Sequence, residues 1–283
     1  MINSNGELQD MATAKLSMEN RGYKYGDALF ETLKVVNGHI LFFEDHYFRF
    51  MASMRILRME IPMEFTMEFL QEEILKTIEA NNLSNHTSRV RITVDRGEGG
   101  RYAPISNTIN YNIIVEKIEN HFYSSQLENS NSVELYKDYF VAPGLLSTLK
   151  TTNRTINILG SIYAEENGFD NGLLLNTNKH VIEALNGNLF LVKNNCIKTP
   201  QIEDGCLKGI MRKQIIEIVS KLEDYDIEEA SISPFELQKA DELFITNVIT
   251  GIQPITNFRK KTYSSTVSEL LTEKLNIKIR LLS

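Results

Sequence analysis

The sequence is short of residues on which several kinds of protein depend. Its 283 residues include two cysteines, Cys196 and Cys206, too few for a disulfide framework or a thiolate metal site. There are five histidines (His39, His46, His86, His121 and His180), and no two stand at the i, i+4 spacing of helix-borne ligands. No metal site is therefore expected. No apolar run approaches the roughly 18 residues that cross a membrane, and the opening MINSNGELQD is polar, without a hydrophobic signal core. Thirty lysines and arginines against 37 acidic residues leave a net charge of −7. That balance argues against general binding to nucleic acid or to anionic membranes. Six prolines and 15 glycines exclude collagen-like and low-complexity chains. What is present is ordinary: 42% hydrophobic and 24% charged residues, enough for a large core. The length exceeds the usual domain of about 100–200 residues. The expectation is a cytoplasmic, two-domain protein in which arginines placed against the overall field hold any anionic substrate.

Asn37-Gly38 separates the strand-like runs Phe30–Val36 and His39–Phe43, which predicts a hairpin with a type I′ turn. Helices are predicted over Glu44–Met59, stopped by Ile61-Pro62, and over Met67–Asn81, where Leu70, Ile74, Leu75 and Ile78 share a face. Arg89–Asp95 alternates, with Val90, Ile92 and Val94 on one side, and Ile109–Val115 reads as a central strand. Residues 119–131 are polar and turn-rich and are read as a linker between domains 1–118 and 132–283. Further strands are expected at Val133–Val141, Gly172–Asn176, His180–Leu185, Asn188–Lys193 and Leu243–Thr246. Helices are expected over Thr152–Asn167, closed by Gly168, over Lys208–Leu222, from the capping box Ser233-Pro-Phe-Glu236, and over Ser264–Leu275. Helices and hairpin-linked strands mix without regular βαβ alternation. The fold class is therefore α+β in two domains.

Neither a Walker loop nor a Gly-x-Ser-x-Gly elbow occurs. Arg96-Gly-Glu-Gly-Gly-Arg101 follows a strand without opening a helix, so it is no dinucleotide cradle. Lys150 is the one charge in VAPGLLSTLKTTN. Alone, it suits a surface lysine whose stem lies on apolar ground; desolvated, it suits a Schiff base with a carbonyl cofactor.

Five segments add weight to the second reading: Arg21-Gly-Tyr-Lys-Tyr25-Gly-Asp-Ala-Leu-Phe30-Glu-Thr32, His46-Tyr-Phe-Arg49, Lys150-Thr-Thr-Asn153, Glu183-Ala-Leu-Asn-Gly-Asn188-Leu-Phe190 and Gly209-Ile-Met-Arg212. In these motifs and their order, from Gly22 to Ile255, the chain resembles the class IV aminotransferases, the fold-type IV pyridoxal-phosphate enzymes. That family includes branched-chain and D-amino-acid aminotransferases and 4-amino-4-deoxychorismate lyase. The resemblance implies pyridoxal 5′-phosphate as cofactor, a small amino substrate and a homodimer. It implies Lys150 as the Schiff-base and proton-transferring lysine, and Glu183 as the carboxylate facing the pyridine nitrogen. Arg49 and the turn Gly209-Ile210-Met211 would hold the phosphate, with Asn188, Asn247 and Val248 also at the cofactor. Residue chemistry by itself leaves Glu183 open as a solvent-facing strand glutamate and Arg49 as a helical arginine pairing with Glu44 or Asp45.

Within the family, Met211 stands where many transaminases have threonine, and Val248 where many have a hydroxyl residue. Both departures, with Asn153-Arg154 and the Arg96–Arg101 loop, look like the lyases. The expected reaction is cleavage of 4-amino-4-deoxychorismate to 4-aminobenzoate and pyruvate, with Arg96 and Arg101 anchoring a dicarboxylate. The alternative is transamination of branched-chain or D-amino acids with 2-oxoglutarate, Arg91 or Arg96 holding the carboxylate and Tyr25, Leu29 and Phe30 lining the pocket.

Overall fold

The computed structural model describes residues 1–124 and 131–282; residues 125–130 of the expected 119–131 linker lie outside the described residues. The chain forms two compact units. The first holds residues 1–121 and 150–153 together with the chain end, and the second holds residues 122–149 and 154–281. The short stretch around Lys150 thus belongs to a unit other than that of the chain on either side.

The first unit is a six-stranded antiparallel sheet backed by two helices. Its elements are β1 (Ile2–Ser4), β2 (Glu7–Gln9), α1 (Arg21–Tyr25), β3 (Ala28–Val36), β4 (His39–Ile40), α2 (Phe43–Ile56), α3 (Met67–Ala80), β5 (Ser88–Arg96) and β6 (Ile109–Lys117). The sheet order is β2-β1-β6-β5-β3-β4. As the turn pair predicts, Asn37 and Gly38 both have positive φ, 49° and 80°, the type I′ geometry that matches strand twist. On β5, Val90, Ile92 and Val94 are buried, Val94 and Val90 opposite Leu29 and Leu33 of β3, and Met54 of α2 and Ile74 of α3 are fully buried as well. Helix α2 stops three residues before the expected Met59. Arg58 takes a left-handed φ of 56°, its amide donates to Arg55, and that of Met59 donates to Met54. This Schellman closure ends the helix before Pro62 can act.

The second unit carries two five-stranded sheets on a shared core. It contains β7 (Ser132–Val141), α4 (Thr155–Glu166), β8 (Asn171–Asn176), β9 (Val181–Ala184), β10 (Asn188–Lys193), β11 (Cys196–Thr199), α5 (Ile210–Val219), β12 (Asp226–Glu229), α6 (Pro234–Lys239), β13 (Glu242–Asn247), β14 (Gly251–Ile255), β15 (Asn257–Phe258), β16 (Lys261–Thr262) and α7 (Thr266–Leu282). The orders are β12-β11-β10-β13-β14 and β16-β15-β7-β8-β9, with Leu135, Leu173 and Val181 packed against Leu189, Leu191 and Ile245. The capping box forms: the Ser233 amide donates to Glu236 Oε1 at 2.8 Å. Three helices start later than expected, α7 among them, at Thr266. α4 begins at Thr155 because the backbone of residues 150–152 is hydrogen-bonded to β3 and is not free to coil. α5 begins at Ile210 because Gly209 is extended, at φ −69° and ψ 139°. No helix among the described residues is long and apolar enough to cross a membrane.

Candidate active site

Alternate residues of β3 face opposite ways, and the two faces carry different chemistry. Leu29, Glu31, Leu33 and Val35 face the helices, so Glu31 is a carboxylate in an apolar row, 2% exposed. Helix α2 supplies its partners. His46 Nδ1 lies 2.8 Å from Oε2, and Arg49 donates from Nε and Nη2 at 2.7 and 2.5 Å. Three residues apart, His46 and Arg49 share a helix face. Burial alone would raise the Glu31 carboxyl, but Arg49 and His46 hold it down at about 2. The ionised carboxylate keeps the His46 proton on Nδ1. Burial pushes this imidazole below its ordinary value, as do the Arg49 and Lys150 charges, against the pull of Glu31. The Arg49 fork thus goes to Glu31, a partner absent from the pairing with Glu44 or Asp45 that local spacing suggests.

The other face of β3 presents Phe30, Thr32 and Lys34. The Lys150 ammonium lies over the Phe30 ring at 4.4 Å from its centroid, and the Arg91 guanidinium over the same ring at 3.9 Å. Arg91 sits opposite Thr32 across the β3–β5 ladder, and its Nε reaches Thr93 Oγ1 at 3.4 Å. Burial, with Arg89 nearby, lowers the Arg91 guanidinium from its usual value. Burial also brings Lys34 down to about 8. Lys150 is therefore no snorkelling surface lysine: its amine lies on an aromatic ring that a second cation also contacts. Such a face attracts an anion next to the amine.

Arg96 does not join this face. Its Nε and Nη2 hold Asp27 at 2.9 and 3.3 Å, Nη1 holds Asn107 Oδ1 at 2.7 Å, and Nη2 reaches the Leu57 carbonyl at 2.6 Å. A buried guanidinium with its donors engaged in this way anchors the chain. Arg21 Nε shares Asp27 Oδ2 with Arg96, also at 2.9 Å, and Arg21 Nη1 donates to the carbonyls of Gly99 and Arg101. Together the two arginines shape the glycine loop, which leaves the Arg101 side chain exposed. Tyr25 lies beneath Arg21, 5.0 Å from centroid to guanidinium, and against Tyr102.

In the second unit Glu183 is buried on β9 at 7% exposure, so it is not the solvent-facing strand residue. Its Oε2 accepts the Leu207 amide at 2.8 Å, and Asn188 Nδ2 donates to the Leu207 carbonyl at 2.8 Å. This turn feeds Gly209, the N-cap of α5, where no side chain caps the helix. The first-turn amides of Ile210 and Met211 are free of intrahelical partners by helix geometry, which suits an anion. A Cβ at Gly209 would collide with Asn188 Oδ1. Cys206 is fully buried beside Glu183, and its thiol is pushed up to about 12 by burial first and by that charge second. Asn247 Oδ1 accepts the amides of Ile249 and Thr250 at 3.0 and 2.9 Å, and the Val248 carbonyl accepts Tyr123 Oη at 2.6 Å. Asn247 and Val248 therefore build the late loop. No group of three or more metal-ligating side chains exists among the described residues.

Sequence reasoning quoted Glu31 inside a motif but assigned it no role. The signal was present: a lone carboxylate in a strand otherwise fit for the core. The clamp of Asn153 on Gly26, described below, left no trace in composition or periodicity.

The family model described as amino-transferase class IV matches residues 28–258. The chain is 27% identical to a D-alanine aminotransferase of Listeria monocytogenes over 264 residues, covering 89% of this chain and 86% of that one. It is 25% identical to an aminodeoxychorismate lyase of Vibrio harveyi over 243 residues, covering 83% and 84% of the two chains. Its fold superposes on the branched-chain amino acid aminotransferase of Escherichia coli with a TM-score of 0.85, at 22% identity and coverage of 97% and 92%. The chain belongs to the class IV aminotransferases, a pyridoxal-phosphate-dependent enzyme family with lyases and transaminases among its members.

Proposed function

We propose that the protein is a 4-amino-4-deoxychorismate lyase, releasing 4-aminobenzoate and pyruvate. The carrying observation is that the Lys150 amine and the Arg91 guanidinium both lie over the Phe30 ring, at 4.4 and 3.9 Å from its centroid: an amine for chemistry and a cation for a substrate carboxylate. The Met211, Val248 and Asn153-Arg154 pattern supports the same choice, as does likeness to a lyase.

Each unit carries donors that would suit pyridoxal phosphate: the first an amine for its aldehyde and an arginine for its phosphate, the second a buried carboxylate for its ring nitrogen and an uncapped helix for its phosphate. When bound, the cofactor supplies an electron sink for the bond-breaking step. Lys150 would hold it covalently, yield to the substrate amine and then take the proton from the carbon bearing that nitrogen. Glu183, oriented by the Leu207 amide, would keep a proton on the ring nitrogen. Arg49, aimed by Glu31, and the amides of Ile210 and Met211 would hold the phosphate. Arg91 would fix a carboxylate, with exposed Arg101 a second candidate, and Tyr25 and Phe30 would shape the pocket. After proton removal the enolpyruvyl ether departs as pyruvate and the ring aromatises. A homodimer in the cytoplasm belongs to this reading.

The likeness to D-alanine aminotransferase supports a second reading, transamination. One experiment separates them. Holoenzyme given 4-amino-4-deoxychorismate alone should yield 4-aminobenzoate and pyruvate over many turnovers. Glutamate from D-alanine or leucine with 2-oxoglutarate, without 4-aminobenzoate in the first assay, would establish the transaminase instead.

A further inference from the structure

Residues 150–152 make a single antiparallel bridge against β3. The Phe30 amide donates to the Lys150 carbonyl at 2.9 Å, the Thr152 amide donates to the Ala28 carbonyl at 3.0 Å, and Leu29 bridges Thr151 between them. These bonds set the backbone of the lysine, but a contact this short leaves its far end to fray. The far end is closed by a side chain: Asn153 Nδ2 donates to the Gly26 carbonyl at 2.9 Å. Gly26 is built for this contact in two ways. It ends α1 in the left-handed region at φ 65°, and a Cβ on it would collide with the Asn153 carboxamide. Only glycine lets the carboxamide approach that carbonyl.

We propose that Asn153 and Gly26 are a positioning pair for Lys150: their contact fixes the segment that aims the lysine amine over Phe30. The inference rests on Lys150 being the covalent cofactor lysine. In that role its amine adds to the aldehyde of pyridoxal phosphate and one water leaves, so the rate of attachment depends on where the amine points.

The test separates docking from attachment. Protein stripped of cofactor is mixed with pyridoxal phosphate at rising concentrations, and growth of the imine absorbance is followed. Saturation gives a docking constant and a limiting attachment rate. In Asn153→Ala the limiting rate should fall about five- to twentyfold while docking stays within twofold and the thermal midpoint is unchanged. Asn153→Asp keeps the shape but loses the donor, and should be as slow. Gly26→Ala should also be slow. The double variant Gly26→Ala/Asn153→Ala should be no slower than Gly26→Ala, because the collision is gone. A wild-type limiting rate in Asn153→Ala overturns the proposal. So does a loss confined to docking or to the thermal midpoint, which marks a merely structural contact. Borohydride reduction and peptide mapping keep the two readings apart. An adduct on another lysine sinks the Lys150 assignment, whereas an adduct on Lys150 with unaltered attachment sinks only the positioning pair.

Discussion

Glu31 makes the sharpest energetic statement in the first unit. Its carboxyl is held at about 2 against an ordinary 4.5, an interval equivalent to about 3 kcal/mol at roughly 1.4 kcal/mol per unit. The folded value lies below the unfolded one. The stabilisation is therefore complete above about pH 5 and is lost as the pH falls from 4.5 toward 2. His46 is pushed down too and loses stabilisation in the same direction, so it must be removed from the comparison. The informative pair is His46→Gln against His46→Gln/Glu31→Gln, where the glutamine amide still serves as a donor to Oε2. At pH 7 the double variant leaves Arg49 buried without its counter-charge and should be about 3 kcal/mol less stable, the scale of a broken buried pair. Near pH 2 the two should converge, because a protonated Glu31 differs little from glutamine. Urea unfolding can be followed by far-ultraviolet circular dichroism, since the chain has no tryptophan. A gap that stays constant from pH 7 to 2.5 would refute the reasoning, for it would mean that Glu31 contributes shape and not charge.

Other outcomes follow from the same geometry. Glu183→Gln should retain cofactor but slow proton abstraction at least tenfold, read as a larger isotope effect with substrate deuterated at the reacting carbon; near-normal turnover would assign the ring nitrogen to another acid. Arg96→Ala should cost about 1–3 kcal/mol of folding stability by leaving the Leu57 carbonyl and Asn107 Oδ1 without their donor and Asp27 with Arg21 alone, without a selective effect on substrate affinity. Arg91→Ala should do the opposite, raising KM for anionic substrates tenfold or more, since a charged hydrogen bond contributes about 1.5–3 kcal/mol; equal effects of the two substitutions on KM would undo the distinction. Gly209→Ala should weaken cofactor docking by driving the α5 N-cap off Asn188, and an unchanged docking constant would speak against the helix N-terminus as the phosphate site.

Most of the regular structure was legible because local rules decide it. The Asn37-Gly38 turn, the alternation of β5, the α3 stripe and the Ser233 capping box are each complete within a few residues. The same turn signal at Asn5-Gly6 passed unnoticed because β1 and β2 are three residues each, too short to show a period. β11 and β12 pair in parallel from distant segments, and nothing local announces such a partner. The start of α4 was misjudged for a related reason. Thr151-Thr152-Asn153 reads as a helix entrance by its own chemistry, but its backbone is claimed by β3, more than a hundred residues away in sequence.

Arg91 and Arg96 show where reading the chain alone ends for the site. They stand five residues apart on one strand, with the same side chain and the same family setting, and no rule of spacing ranks one above the other as a substrate anchor. An odd separation on a strand puts them on opposite faces, which is the first physical difference. The second is what each face offers. Arg96 meets Asp27, Asn107 and the Leu57 carbonyl, so its positive charge is neutralised inside the fold. Arg91 meets an aromatic ring and a threonine hydroxyl, and burial and Arg89 disfavour its charge more than Glu116 favours it. A guanidinium whose charge is disfavoured by burial, over the same ring as the lysine amine, is relieved by an incoming anion, and that relief is what makes it a binding group.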